Sequence, residues 1–461
     1  MQHSRRDFIK YAATTGGGLI LGFNILAPKR FHSAVITADA EGALSFNAFL
    51  SINIDGTATI FSPNPEVGQG IKTSFPITVA EELDIDWKLV KVEQAPLDGK
   101  RFERQVAGGS GSTPHSWKRL RQAGATARLM LMETAAERWQ TPLSNLTTEM
   151  GKVIDKTSKR QLTYGELAAD AAKRTPPKEV VLKDRKDFKL IGTFVKGVDN
   201  HKITKGESLF GLDFYREGML IAMIQRPPAF GLKVKSFDAA AAKAMPGIVD
   251  VVSFKDRVAV VGKTTWEVKK ARAAVKIEWM KGDEMLESSV DHNRIFKDLL
   301  TTGKPEMRRK EGDTEGVFKT AAKVIEAEYQ CPFLPHNAME PMNFFADVKP
   351  DSIELIGPTQ NPQPHRDQVS KLLNIPVDKI SLTMTRMGGG FGRRLNGDFV
   401  VEAAELSSII KAPVKVMWTR EDDVHNGRFR PLSGHYLRAA FDNTGKLTAW
   451  HHRLADRKSV V

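Results

Sequence analysis

Short apolar strands interleaved with helices of very different length place this chain in the α+β class, and three observations carry that assignment. Residues 46–62 alternate apolar and polar side chains on either side of Asp55 and Gly56, as a hairpin does. Residues 117–139 instead repeat apolar positions at three and four, through Leu120, Ala123, Ala127 and Leu131, the spacing of a helix that faces a core. Residues 213–279 mix both periods in segments of five to ten residues, as a compact unit of strands and helices would.

In chain order, the hairpin of 46–62 is followed by a helix over 73–83, a strand over 89–94 and the long helix of 117–139. Residues 174–205 are rich in Lys, Asp, Pro and Gly and hold no sustained period, so they read as a linker. Strands at 219–225 and 234–238, a helix at 239–245, strands at 248–254 and 258–262, a helix at 265–274 and a strand at 275–279 come next. The charged stretch of 286–316 reads as a mobile connector. The strand-rich pattern resumes from Ala322, and 380–384 alternates strictly.

A chain of 461 residues with 41% apolar content can bury the cores of about three domains. The 68 Lys and Arg exceed the 55 Asp and Glu to give a net charge of +13. The basic residues are scattered among the acids and no nucleic-acid motif accompanies them, so no nucleic-acid partner is expected. A solvated surface that also holds an anionic ligand accounts for the balance. Cys331 is the single cysteine. It can form no internal disulfide and no iron–sulfur cluster, which takes about four thiolates, and is expected to pack as a small buried hydrophobe. Any electron-transfer cluster must then sit on another polypeptide.

The chain opens with Ser4, Arg5, Arg6, Asp7, Phe8, Ile9 and Lys10, followed by a moderately apolar, glycine-rich run over 11–27. This is the layout of a twin-arginine export signal, to be left out of the fold. The apolar run is short of the roughly 20 residues that a bilayer span needs. Periplasmic export is the expectation, with cleavage and a membrane tether both left open.

Three glycine-rich segments carry the chemistry. Glu66, Val67, Gly68, Gln69 and Gly70 precede the first helix; Gly108, Gly109, Ser110, Gly111 and Ser112 precede the long one. Arg386 and Met387 lead into Gly388, Gly389, Gly390, Phe391, Gly392, Arg393 and Arg394 after the strand at 380–384. Without Cβ atoms, such turns let main-chain N–H groups approach a bulky anion, and paired guanidinium groups can neutralise phosphate. A dinucleotide fingerprint fits less well, because Arg393 stands where its third glycine belongs. A set of tight turns with solvated arginines is the plain alternative.

The string Thr359, Gln360, Asn361, followed about 25 residues on by the RMGGGFG segment, resembles the molybdenum-cofactor domain of the xanthine dehydrogenase and aldehyde oxidase family. The two front loops are similar to a cofactor-binding segment that this family usually carries late. Their early position resembles the isoquinoline 1-oxidoreductase beta subunits, a branch with permuted order. Residues 218–222, 246–249 and 258–262 resemble the family's small hammerhead domain. The resemblance therefore implies permuted molybdopterin-binding segments flanking a small α/β hammerhead domain. The boundaries expected are a signal region (1–40), a front molybdopterin-binding segment (41–173), the linker (174–205), a hammerhead-like domain (206–285), the connector (286–316) and a truncated second molybdopterin-binding segment (317–455). Residues 456–461 translate a common sequencing adapter and are expected to be foreign, so the natural chain should run on.

By the same resemblance, Gln360 hydrogen-bonds an oxygen ligand of molybdenum. Gly68, Gln69 and Gly70 touch the pterin; Gly108, Gly109, Ser110, Gly111 and Ser112 cradle the pterin or its dinucleotide; Gly388, Gly389, Gly390, Phe391, Gly392, Arg393 and Arg394 bind the cofactor, with the backbone around Gly390 and Phe391 beside the metal. No side chain ligates the metal itself. The implied cofactor is a molybdenum-pterin, in a cytosine dinucleotide form, with [2Fe–2S] clusters on a small partner subunit and a cytochrome c as onward acceptor. The implied reaction hydroxylates an aldehyde or an N-heteroaromatic carbon with oxygen from water. Leu395 stands where purine-oxidising members carry a carboxylate, which argues against a purine. The family's general-base glutamate lies beyond this sequence, and no residue here is nominated for it. A metal-free secreted scaffold or binding subunit of the same fold is the alternative. His336 and Glu340 recur in the family at the substrate side of the pocket; with Pro335 before them and no third ligand near, they read as pocket lining or structural hydrogen bonding, and His435, His451 and His452 receive no role.

Overall fold

The computed structural model describes residues 19–22, 48–283 and 288–456. Most of the expected signal region and residues 457–461 of the expected foreign tail lie outside the described residues. Asp456 belongs to a described strand and pairs with Ser433. Among the described residues, no helix is long and apolar enough to cross a membrane. The chain divides into two compact units, one formed by residues up to 218 with Asn343–Val414, the other by Met219–Met342 with residues from 415 on.

In the first unit, strands Leu19–Gly22, Ala48–Ile52, Ala58–Ser62 and Val90–Gln94 form one sheet in that order. The last two run parallel, because the helix Ile71–Leu83 crosses over between them. The long helix Ser112–Trp139 packs on that crossover helix. Gly124 makes the approach feasible: a Cβ there would stand 2.3 Å from the Val79 carbonyl oxygen. Phe49, Leu50, Ile60, Phe75, Val79, Leu120 and Leu131 fill the layer between sheet and helices. The second sheet of this unit pairs Asn343–Val348 antiparallel with Ile353–Gly357, which runs parallel to Ile380–Met384 after the helix Pro362–Leu373. The helix Asp398–Ile410 packs on Asn343–Val348.

The stretch read as a linker carries only the short helices Arg185–Asp187 and Asn200–Thr204, yet it is strapped down. Lys183 Nζ reaches Glu81 at 2.9 Å and Asp84 at 2.6 Å, both on or beside the crossover helix. The other Glu81 oxygen accepts the successive N–H groups of Lys189, Leu190 and Ile191. Arg121 pairs with the fully buried Glu82 at 2.6 Å.

In the second unit, Ile248–Phe254, Arg257–Gly262 and Leu220–Gln225 pair antiparallel, close to the spans expected. Leu232–Asp238 pairs with Lys276–Lys281, and the helix Thr265–Ala274 packs on Leu220–Gln225 and Arg257–Gly262. Two expectations are corrected here. The connector holds a helix, Ser289–Thr301, started by a capping box in which Ser288 and Asp291 bond each other's backbone N–H. Its Phe296 is buried with Leu432 and Ala455. Cys331 is exposed rather than buried, since it ends Lys323–Cys331, an edge strand with almost every side chain exposed.

Candidate cofactor site

Four loops of the first unit leave the carboxyl ends of two parallel strand pairs. Ser62 lies beside Gln94 and Gly357 beside Met384. The segments that follow those ends contain every site residue expected from the sequence, and the carboxyl edge of parallel strands is where such sheets take ligands.

Gln360 ties the loops together. Its side chain is buried, its Nε2 donates to the Ala107 carbonyl at 2.6 Å, and its Oε1 accepts the Gly392 N–H at 3.2 Å. Its backbone N–H donates to the Arg394 carbonyl, and its carbonyl accepts from Ala107 N–H. One Nε2 hydrogen takes no part in these bonds, which is compatible with the oxygen ligand that the resemblance implies for Gln360. Gly390 is required by this arrangement, because a Cβ there would lie 2.6 Å from Gln360 Oε1.

The front loop is built around Glu66, a residue the sequence reading quoted but gave no task. Its buried carboxylate accepts N–H groups from Gly68 (2.8 Å), Gly70 (3.1 Å) and Lys72 (2.9 Å). Gln69 folds back, accepting from Val67 N–H and donating to the Pro65 carbonyl. The N–H groups expected to meet a ligand are thus used internally. What Gly68 and Gly70 offer instead is room: a Cβ on either would meet nothing within 4 Å.

The second loop is fixed from beneath. Asn64 Nδ2 donates to the Val106 carbonyl and to Ser112 Oγ, both at 2.9 Å. Gln105, also buried, donates to the carbonyls of Pro63 and Pro96. Gly109 and Ser110 have φ of 60° and 50°, and a Cβ on Gly109 would point into open space. Arg104 lies against this loop, 3.0 Å from where a Gly111 Cβ would be, and its buried Nη1 has no partner. Asn64 Oδ1 is likewise buried without a donor.

In the third loop, Phe391 has φ of 53°, a conformation few non-glycine residues take, and its ring is 62% exposed. Arg393 and Arg394 depart from the expected phosphate-facing pair and from the solvated alternative alike. Both are buried; Arg393 forms a two-pronged bond to Asp398 (2.8 and 2.7 Å), and Arg394 Nε donates to the Gly389 carbonyl. They brace the loop from behind. His365, fully buried, accepts from Thr359 O–H at Nδ1 and donates from Nε2 to the Leu395 carbonyl. Burial pushes its pKa below the ordinary value, although the Leu395 bond pulls the other way. Leu395 packs beside Gly108.

In the second unit, His336 donates from Nδ1 to the Arg428 carbonyl, and Glu340 is buried. His435 and His452 stack, with Nδ1 and Nε2 3.0 Å apart. No group of three or more potential ligand side chains assembles among the described residues.

These features fit an anionic pterin. Side-chain-free bends at Gly68, Gly70 and Gly109 face open space, and an orphaned guanidinium nitrogen of Arg104 stands by one of these loops. Two family models described as molybdopterin cofactor-binding domain match residues 10–211 and 296–460. The chain is 31% identical to isoquinoline 1-oxidoreductase subunit beta of Brevundimonas diminuta, over 98% of this chain and 64% of that protein. It is 30% identical to a membrane-bound aldehyde dehydrogenase of Gluconacetobacter polyoxogenes, over 98% of this chain and 60% of the relative. It thus spans less than two thirds of the length of either. The solved quinoline 2-oxidoreductase of Pseudomonas putida 86 overlaps 57% of this chain and 39% of its own, with a TM-score of 0.48 and 18% identity. The chain belongs, over most of its length, to the family of molybdopterin cofactor-binding domains.

Proposed function

We propose that this chain is the molybdenum-pterin-binding subunit of an exported hydroxylase acting on an aldehyde or an N-heteroaromatic carbon. The observation that carries the reading is the meeting of four loops at the carboxyl edges of two parallel strand pairs, with Gln360 bonded to two of them. When bound, the cofactor supplies two-electron oxidation with oxygen drawn from water. The chain's own residues bind and orient. Gly68, Gly70 and Gly109 leave room, Gly389, Gly390 and Phe391 offer main-chain N–H groups, and Gln360 keeps one side-chain hydrogen for an oxygen of the group. Arg104 answers its negative charge. A small subunit with [2Fe–2S] clusters would take the electrons, since the single cysteine here holds no cluster, and a cytochrome c would receive them in turn. The cytosine dinucleotide form of the pterin is part of the same proposal.

The substrate classes follow the names of the relatives, which are an isoquinoline oxidoreductase and an aldehyde dehydrogenase. The full-length protein, purified with its small partner, should reduce an artificial acceptor when given an aldehyde or N-heterocycle. Isotopically labelled water should mark the product. A stable complex that holds neither molybdenum nor pterin and turns nothing over would favour the metal-free scaffold instead. Export through the twin-arginine route predicts that a reporter carrying residues 1–40 reaches the periplasm, and that Arg5→Lys with Arg6→Lys holds it in the cytoplasm.

A further inference from the structure

Arg386 stands at the entry of the third loop, two residues before its first glycine. Its Nη1 donates to Asp199 at 2.9 Å, and its Nη2 lies 3.8 Å from the Glu66 carboxylate. Asp199 also takes Lys72 Nζ at 3.0 Å, while the Lys72 backbone N–H donates to Glu66. Lys72, Asp199, Arg386 and Glu66 thus form a chain of alternating charge, which the Lys72 backbone N–H closes into a ring at Glu66. Glu66 and Asp199 are only 2% and 4% exposed, Arg386 17% and Lys72 18%. Backbone bonds lock the ring further: Arg386 N–H donates to the Leu209 carbonyl, and Met387 N–H donates to the Glu66 carbonyl.

A buried ionic ring is a poor way to gain stability, since apolar groups of similar volume often serve as well. It is a good way to fix register, because each charge must meet its partner or stand desolvated and alone. Here the register fixed is that of the front glycine loop against the third one. Glu66 holds the front loop by its Gly68 and Gly70 N–H groups and, through its carbonyl, the first amide before Gly388. Arg386 spans both carboxylates with a planar head that a lysine could not reproduce. Asp199, in a stretch that looks like plain linker, supplies the second anchor.

We propose that Arg386, set by Asp199, is a positioning residue for the molybdenum-pterin. It aligns the two glycine loops that meet the group without touching it. The inference rests on the function proposed above. The test compares wild type with Arg386→Lys, Arg386→Met and Asp199→Asn in the full-length protein with its partner. Readouts are the melting temperature of cofactor-free protein, the molybdenum and pterin retained per chain, and kcat and KM per bound molybdenum.

Arg386→Lys, which keeps a cation between Glu66 and Asp199, should melt near wild type yet retain about tenfold less pterin. Asp199→Asn strips both cations of a partner and should lose pterin beyond what its lower melting temperature accounts for. In the loaded fraction kcat should fall with KM kept. Arg386→Met should be worse than Arg386→Lys. Full pterin retention with unchanged kcat in all three variants overturns the proposal. So does loss of pterin that merely parallels a fall in melting temperature, which would make the ring structural. A wild-type complex without molybdenum-pterin would instead defeat the function proposed above, and this inference with it.

Discussion

At the scale of single residues, the site depends on contacts that leave no slack. Gly390→Ala would force Gln360 off the Ala107 carbonyl and the Gly392 N–H, leaving buried groups unpaired at about 2 kcal/mol. Gln360→Ala should cost a similar amount by losing the same bonds. The double variant should then cost clearly less than the sum, and urea denaturation of all three tests that coupling. His365 gives a pH signature. The unfolded chain takes up a proton near pH 6.5 (about the ordinary imidazole value) that the buried ring refuses, so stability falls as pH drops through that region. Replacing His365 by Gln should flatten the slope of melting temperature between about pH 7.5 and 5.5; an unchanged slope would refute the assignment. The glycines, Gln360 and the arginines were legible as motif letters. The carboxylate that shapes the front loop and the aspartates at 199 and 398 were not, because a buried partner charge leaves no local spacing to read.

At the scale of elements, the strands and helices of 219–279 followed from period alone, since each buries one face. The charged stretch did not, because a count of its charges hid the Ser288 and Asp291 box and the apolar Ile295, Phe296, Leu299 and Leu300 behind it. Ser288→Ala should destabilise the second unit by about 1 kcal/mol, the usual cost of a lost cap, and thermal melting would register it. The strap over 183–191 is an element that composition disguised. Lys183→Met leaves Glu81 buried without its cation and Asp84 with only the longer contacts to Arg128 and Lys189, and should cost about 3 kcal/mol. Burial alone would raise both carboxyls, yet the Leu190 and Ile191 N–H groups with Lys183 at Glu81, and Lys183 with the Thr148 hydroxyl at Asp84, hold both below the ordinary range. Their share of stability is therefore present above the unfolded carboxylate pKa and disappears as pH falls below about 4. Acid unfolding of Lys183→Met, compared with wild type, should show that share missing; a matching acid transition would contradict it.

At the scale of the whole molecule, stretches far apart in sequence meet at the carboxyl edges of two parallel strand pairs. The connectivity explains how this is done. Each parallel strand pair needs a crossover helix, and the crossover returns the chain so that both carboxyl ends deliver their loops to the same side. That geometry was legible only in outline, because period identifies strands but not which of them run parallel. The most direct measurement is molybdenum-edge anomalous scattering from crystals of the full-length protein with its partner. One molybdenum peak should lie among the loops at 66–70, 107–112, 360 and 388–392. A peak elsewhere, or a pterin-loaded crystal with these loops solvent-filled, would contradict the account.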